Sequence, residues 1–133
     1  MGAWGSKNFE CDEAMDWIED FVEAKNPKLV ENAIHVILDN SDCLEAHAST
    51  SALTAAEAIA AFDGKMSSDF PEECLANLKK IQLPVNVDLK KKAITAILKI
   101  KESDQSELKE LWEDSDEFED WEQVLDDLVQ RLS

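Results

Sequence analysis

Basic side chains are scarce in this 133-residue chain, where 13 lysines and arginines stand against 30 aspartates and glutamates and give a net charge of -17. Binding of nucleic acid needs a concentrated basic surface that neutralises phosphates, so this balance excludes a direct nucleic-acid partner. The same shortage excludes docking on an anionic membrane surface. Because 44% of the residues are apolar, we expect one folded domain over residues 1–133 rather than an acidic disordered segment.

Glycine and cysteine are also rare, with three residues of each. The sequence has no Gly-x-Gly-x-x-Gly and no Walker motif, which excludes phosphate-cradling loops. The cysteines, Cys11, Cys43 and Cys74, are odd in number and widely spaced, which argues against a disulfide framework. No apolar run reaches the length of a signal peptide or a membrane span. We therefore expect a cytoplasmic protein.

Apolar residues recur at helical spacing along almost the whole chain, and no segment alternates as a half-buried strand does. The sequence therefore predicts an all-α fold, a single-domain bundle of about six to seven amphipathic helices. The predicted helices run from Asp12 to about Lys25, Asn26 to about Asp39, Ser51 to Phe62, Asp69 to about Ile81, Asn86 or Asp88 to about Lys101, Ser103 or Ser106 through Trp112, and about Asp116 to Leu132. The stretch from Ser41 to Ala48 is expected to be a connector with a short turn.

The negative charge is concentrated at the two ends of the sequence. Residues 1–63 carry a net charge of -10 and residues 106–133 carry -9, whereas residues 64–105 carry +2. No long linker rich in glycine, serine or proline separates these segments. We therefore interpret the difference as surface patterning of one domain.

The densest run of acids surrounds the aromatic residues Trp112, Phe118 and Trp121. Our candidate partner-binding residues are Glu113, Asp114, Asp116, Glu117, Glu119, Asp120 and Glu122. One interpretation is that they form only the solvated face of two amphipathic helices whose aromatic side chains point inward. The other is a docking surface for a basic protein. Binding of such a protein relieves the repulsion among the carboxylates, which is roughly a few tenths of a kcal/mol per close pair of like charges.

Metal binding and catalysis have little support in the sequence. A calcium loop needs a third alternating oxygen ligand and a glycine, and Asp114-x-Asp116-x-Phe118 has neither. The histidine at position 35 is typical of a half-exposed residue in contact with the helix turn before it. In the predicted connector, Cys43 and His47 suggest a nucleophile pair or a zinc site, but further ligands at characteristic spacing are missing. We expect no enzyme activity, no metal and no cofactor.

Short motifs spread over nearly the whole chain carry a family likeness. They are Met1-Gly2-Ala3-Trp4-Gly5, Phe9, Asp12, Ala14, Asp16-Trp17, Leu44-Glu45-Ala46, Ala52-Leu53-x-Ala55-Ala56-Glu57, Pro71-Glu72-Glu73, the run from Ser106 to Ser115, Trp121 and Leu125-x-x-Leu128. These motifs resemble a family of small bacterial all-helical proteins known as a domain of unknown function, whose members begin Met-Gly-Ala/Thr-Trp-Gly. The resemblance implies a single helical domain in a bacterial cytosol, and it transfers no catalytic or binding residue.

The sequence thus favours an acidic cytoplasmic binding protein that neutralises a basic protein partner. Its most specific form is an immunity protein that blocks a bacterial nuclease-type toxin by occlusion. Nuclease domains present basic surfaces, and an acidic inhibitor gains fast, steered association from its charge. The alternatives are an adaptor or regulatory subunit with another basic partner and, least favoured, a small enzyme that uses Cys43 and His47.

Overall fold

The computed structural model describes residues 12–40, 43–67, 70, 80–81 and 85–133. Over these residues the backbone forms six helices: α1 (Asp12–Ala24), α2 (Lys28–Asp39), α3 (Ala46–Phe62), α4 (Val87–Glu102), α5 (Glu107–Glu113) and α6 (Phe118–Leu132). The described ranges contain no strand, and an isolated bridge pairs Leu44 with Ser106. The all-α prediction is confirmed. None of the helices described is long and apolar enough to cross a bilayer.

The third helix is the centre of the bundle. Every residue of α3 from Ala52 to Ala60 is buried, and the helix packs against each of the other five. Five residues of this stretch are alanine, and small side chains at a contact allow neighbouring helix axes to approach closely. A single hydrophobic cluster joins α3 to its neighbours.

The starts of α4 and α5 follow local sequence signals. The side chain of Asn86 accepts a hydrogen bond from the N–H of Leu89 at 2.8 Å. The hydroxyl of Ser106 accepts one from the N–H of Lys109 at 3.3 Å. Each bond satisfies a backbone donor that the first turn of a helix leaves without a partner. Of the paired alternatives in the sequence, Asn86 and Ser106 are therefore the N-caps.

The end of α3 depends on a glycine, as predicted. Gly64 has a φ of +80°, in the left-handed region that glycine enters without steric cost. The N–H of Gly64 bonds the carbonyl of Ala61 at 3.1 Å, and the N–H of Lys65 bonds that of Ala60 at 2.8 Å. These two bonds satisfy carbonyls of the last turn in the pattern of a Schellman motif.

The predicted connector from Ser41 to Ala48 was wrong in its second half. α3 begins at Ala46, so His47 and Ala48 are helical. The reason is tertiary, because the N–H of Ala46 donates to the Glu107 carboxylate at 3.2 Å and this remote cap extends the helix beyond its local sequence signals. Trp4 and most of the helix predicted from Asp69 to Ile81 lie outside the described residues.

Contacts between helix ends fix the directions of the helices. The Lys99 ammonium donates to the carbonyls of Ile37 and Asn40, which places the end of α4 beside the end of α2. Lys90, at the start of α4, bonds Asp63 at the end of α3 at 3.3 Å. α2 and α4 are therefore parallel to each other and antiparallel to α3.

Candidate functional site

The seven candidate carboxylates lie together around the turn between α5 and α6. We call this surface the acidic corner; it consists of Glu113, Asp114, Asp116, Glu117, Glu119, Asp120 and Glu122. Six of these residues are exposed and Glu122 is half-buried. Within the part of the chain that the structure describes, none of the seven forms a salt bridge. Partner binding by the corner stays a prediction.

Stacked aromatic rings support the acidic corner from below. The rings of Trp112 on α5 and Trp121 on α6 have centroids 6.4 Å apart and planes inclined by 14°. Phe118 packs at 5.8 Å from Trp121. Both tryptophans are buried, as expected in the interpretation that the acids form the solvated face of two amphipathic helices. Such a cluster combines a large buried area with a specific ring geometry, so it fixes the angle at which α6 leaves α5.

A serine in the turn connects the two helices. The Ser115 hydroxyl donates to the carbonyl of Trp112 at 2.8 Å and accepts from the N–H of Glu117 at 3.2 Å. This local bonding pattern is one that serine hydroxyls form in turns. The turn displaces the start of α6 from the predicted Asp116 to Phe118, and it presents the acidic residues on either side of Ser115 to solvent.

The two halves of the corner experience opposite helix dipoles. Glu113 and Asp114 lie at the C-terminal end of α5, where the aligned peptide dipoles leave a partial negative charge. Glu119 and Asp120 lie in the first turn of α6, where the dipole favours carboxylates. In the α5 half of the corner, the helix dipole therefore disfavours the carboxylates.

Farther along α6 the acids have cationic partners. Asp126 accepts a hydrogen bond from Lys101 of α4 at 2.8 Å, and Asp127 accepts one from Arg131 at 2.8 Å. The hydrogen bond to Asp126 raises the pKa of Lys101, against a smaller opposing effect of desolvation. The contrast with the corner lies within one helix, because the C-terminal acids of α6 form salt bridges and its N-terminal acids form none with the described residues.

One acidic residue from each of the two acidic segments, Glu13 and Glu107, contacts the start of α3. The Glu107 carboxylate of α5 caps the start of α3, at Ala46. The next residue, His47, lies 3.4 Å from a carboxylate oxygen of Glu13 in the first turn of α1. The starts of α1, α3 and α5 are therefore neighbours, and the exposed Asp12 and Glu13 lie near the start of the helix that leads into the acidic corner. Segment counting in the sequence did not reveal this convergence, because it depends on contacts between residues far apart in the chain.

A buried ion pair joins α3 to α6 at the other end of α6. Glu57 is only 1% exposed, and its two oxygens accept bonds of 2.8 Å and 3.2 Å from the two terminal nitrogens of Arg131. Burial lowers the pKa of Arg131, but the hydrogen bonds and charges of Glu57 and Asp127 outweigh it and hold the pKa above its usual value. Sequence analysis missed this pair; the available signal was a lone carboxylate in an alanine-rich apolar stretch.

The remaining chemical candidates are dispersed. Cys43 is exposed and its carbonyl accepts a bond from the side chain of Asn40, whereas His47 projects from α3 toward Glu13. His35 lies on α2 beside a small cleft that it shares with Asp88 of α4 and other residues. In the described ranges no group of three or more His, Cys, Asp or Glu side chains is arranged to hold a metal ion.

Fold and surface together define a small, strongly acidic helical-bundle protein with a carboxylate-rich corner. The chain belongs to the family described as Domain of unknown function (DUF4259), whose model matches residues 2–124. The match confirms the expectation of a family of unknown function. The matched range includes the acidic corner and Glu57, and it ends before Arg131. Comparison with curated proteins and with solved structures gives no match.

Proposed function

We propose that this protein binds and neutralises a basic protein partner through the acidic corner. In its specific form, the proposal is an immunity protein that blocks a bacterial nuclease-type toxin. The observation that carries it is the contrast along α6, where Asp126 and Asp127 are paired with cations. Six of the seven corner carboxylates are exposed, and none of the seven forms a salt bridge with a described residue. A cationic partner relieves the repulsion among these carboxylates.

Charge supplies the rate and the orientation of such an encounter. A net charge of -17 attracts a cationic protein over distances comparable with the Debye length, which is about 8 Å at physiological salt. Steering of this kind raises association rates by about 10-fold to 1000-fold and weakens steeply with ionic strength. The exposed Asp12 and Glu13 near the start of α1 add to the negative field of the protein.

Affinity needs a desolvated anchor as well as charge, because a few well-buried residues dominate most interfaces. Trp112 and Trp121, which lie beneath the corner, are buried within the protein and cannot serve as this anchor. On α5, however, Leu111 remains 39% exposed and is flanked by Glu110 and, three residues later, Asp114. We assign Leu111 as the apolar contact of the interface.

Inhibition follows from occlusion. A nuclease holds the phosphates of its substrate with lysine and arginine side chains. Carboxylates that occupy those cations exclude the nucleic acid without any chemical step, so the proposal requires no catalytic residue, metal or cofactor in this chain.

The test compares two variants of equal net charge. The corner variant carries Asp116→Asn, Glu117→Gln, Glu119→Gln and Asp120→Asn. The control variant carries Glu19→Gln, Asp20→Asn, Glu23→Gln and Glu31→Gln, which are exposed positions of α1 and α2. The probe is the purified product of the gene adjacent to that of this protein. We expect the corner variant to associate at least about tenfold more slowly at low salt, and the control to change little.

Three further results decide the proposal. An equal loss of rate in both variants shows that bulk charge acts, not the corner. A neighbouring gene product that is not basic, together with low-salt pull-downs that recover no basic protein, overturns the proposal. Stoichiometric binding of a basic protein without inhibition of a nuclease indicates the adaptor or regulatory subunit instead.

The enzyme alternative has its own test. Replacing Cys43 and His47 together with alanine removes both side chains on which a small enzyme would depend. Unchanged protection of cells or unchanged inhibition in that double variant eliminates this alternative, whereas loss of activity with intact helical content supports it.

A further inference from the structure

Among the described residues, Glu57 is the only buried one with an ionisable side chain. It lies in the middle of α3 and receives a two-pronged contact from Arg131, near the end of α6. Arg131 also donates to Asp127 at 2.8 Å and to the carbonyl of Lys65 at 3.3 Å. The guanidinium is therefore fixed by groups of α3, of α6 and of the segment after α3.

Apolar packing against α3 leaves the register and rotation of α6 underdetermined. α6 buries Trp121, Leu125, Leu128 and Leu132 along one stripe, and it packs on α4 as well as on the alanine-rich α3. Contacts between leucine and small residues specify register and rotation poorly, whereas alternating large and small side chains interlock in one arrangement. The aromatic rings hold the start of α6 against α5, so the register of its second half against α3 needs a further contact.

We propose that the Glu57–Arg131 pair is this positioning contact, which selects the register and rotation of α6 and thereby the place of the acidic corner. A shift of α6 by one residue moves it about 1.5 Å and turns it by about 100°. Either change breaks the two parallel bonds that guanidinium and carboxylate form only in a fixed planar geometry. A buried charged pair thus excludes the neighbouring arrangements that the leucine stripe tolerates.

The effect reaches the corner because α6 is continuous. Phe118, the first residue of α6, lies about 20 Å from Arg131 along the helix axis at the usual rise per residue. At that end α5 is attached separately to α3, through Glu107 and Ala46. The stacking of Trp112 on Trp121 therefore reports whether α6 has kept its register relative to α5.

The test replaces the pair rather than breaking it. In the double variant Glu57→Met with Arg131→Met, both charges are removed, which avoids leaving one buried charge alone. The matched control is Lys101→Met with Asp126→Met, which removes another ion pair between α6 and its neighbours at the same 2.8 Å distance. Amide NMR spectra and nuclear Overhauser contacts between the rings of Trp112 and Trp121 are recorded for the full chain.

We expect the double variant to retain its helical circular dichroism, while amide signals of α6 double or broaden and the contact between the tryptophan rings loses at least half its intensity. The control keeps one set of signals and full intensity. A third variant, Arg131→Lys, keeps the charge but lacks the planar fork; it should fold and show a partial loss.

Two results overturn the proposal. One is a double variant with a single sharp set of α6 signals and the full contact between the rings. The other is an Arg131→Lys variant indistinguishable from the wild type, because a point charge then suffices. Neither measurement uses a binding partner. If they contradict the positioning role of the pair, the proposed function is unaffected, and loss of the proposed function would leave the positioning role unaffected.

Discussion

The carboxylate of Glu107 caps a helix that begins 61 residues earlier in the chain, by accepting the N–H of Ala46 at 3.2 Å. Main-chain bonds flank this contact, from Leu44 to the carbonyl of Gln105 at 2.9 Å and from Glu107 to the carbonyl of Leu44 at 3.0 Å. Glu45, which precedes α3, supplies no side-chain cap. α5, which leads into the acidic corner, is thus attached to the first turn of the central helix.

Glu107→Ala should lower the free energy of unfolding by about 1 kcal/mol, the usual loss when a helix N-cap is removed. Hydrogen exchange of the amides in the first turn of α3 should accelerate at the same time, because that turn loses its cap. Urea denaturation and exchange measured by NMR check the two effects. Glu110→Ala, on an exposed position of the same helix, is the control. A similar loss in both variants contradicts the capping role.

Arg131→Ala should be severely destabilising, by about 3–5 kcal/mol, because it removes the bidentate partner of a carboxylate that is 1% exposed. Lys101→Ala, at a comparable ion pair with the 57% exposed Asp126, should cost less than about 1 kcal/mol. Urea midpoints at neutral pH compare the two. Equal losses would show that burial of Glu57 does not govern the energetics of its pair.

Neutralising the two halves of the acidic corner should have opposite effects on stability. Glu113→Gln with Asp114→Asn removes carboxylates from the unfavourable end of the α5 dipole and should raise the free energy of unfolding by about 0.3–1 kcal/mol. Glu119→Gln with Asp120→Asn removes favourable charges from the first turn of α6 and should lower it by a similar amount. Both changes should shrink in high salt. Thermal melts at low and high ionic strength measure them, and stabilisation by both pairs would mean that general repulsion outweighs the dipoles.

The contribution of Lys101 should disappear at alkaline pH. Its hydrogen bond to Asp126 raises the pKa in the folded state above 10.5, against a smaller lowering by desolvation. A raised pKa of a basic group stabilises the fold at pH below the unfolded value, and this contribution is lost as the pH rises through the folded value. The difference in unfolding free energy between wild type and Lys101→Met should therefore hold at about pH 9 and decline by about pH 11.5. In an Asp126→Asn background the decline should shrink strongly, because only the weaker charge effects of Glu122 and Glu102 still raise the pKa of Lys101. An undiminished decline there contradicts the assigned cause.

Much of the architecture was predictable because it depends on local signals. Helical spacing of apolar residues located all six described helices. The capping residues Asn86 and Ser106 and the glycine at 64 marked ends that the structure confirms. Each of these features needs only a few neighbouring residues, so the sequence contains it directly.

The failures have a common physical origin in contacts between distant residues. α3 extends back to Ala46 because Glu107 reaches it from another helix. The pairing of Glu57 with Arg131 joins positions 74 residues apart. No periodicity within a window of ordinary length encodes such contacts, although a carboxylate in an alanine-rich helix was a signal that a partner must exist.

The sequence by itself determined the helical class, the large excess of negative charge and its concentration in two segments, because composition and periodicity are properties of the chain. Only the tertiary structure decided which acids are compensated. Lysine and arginine side chains reach the second half of α6. The corner carboxylates, six of them exposed, form no salt bridge with the described residues. Whether a carboxylate has a cationic partner depends on tertiary structure because electrostatic pairing acts over a few ångströms of space and not along the chain.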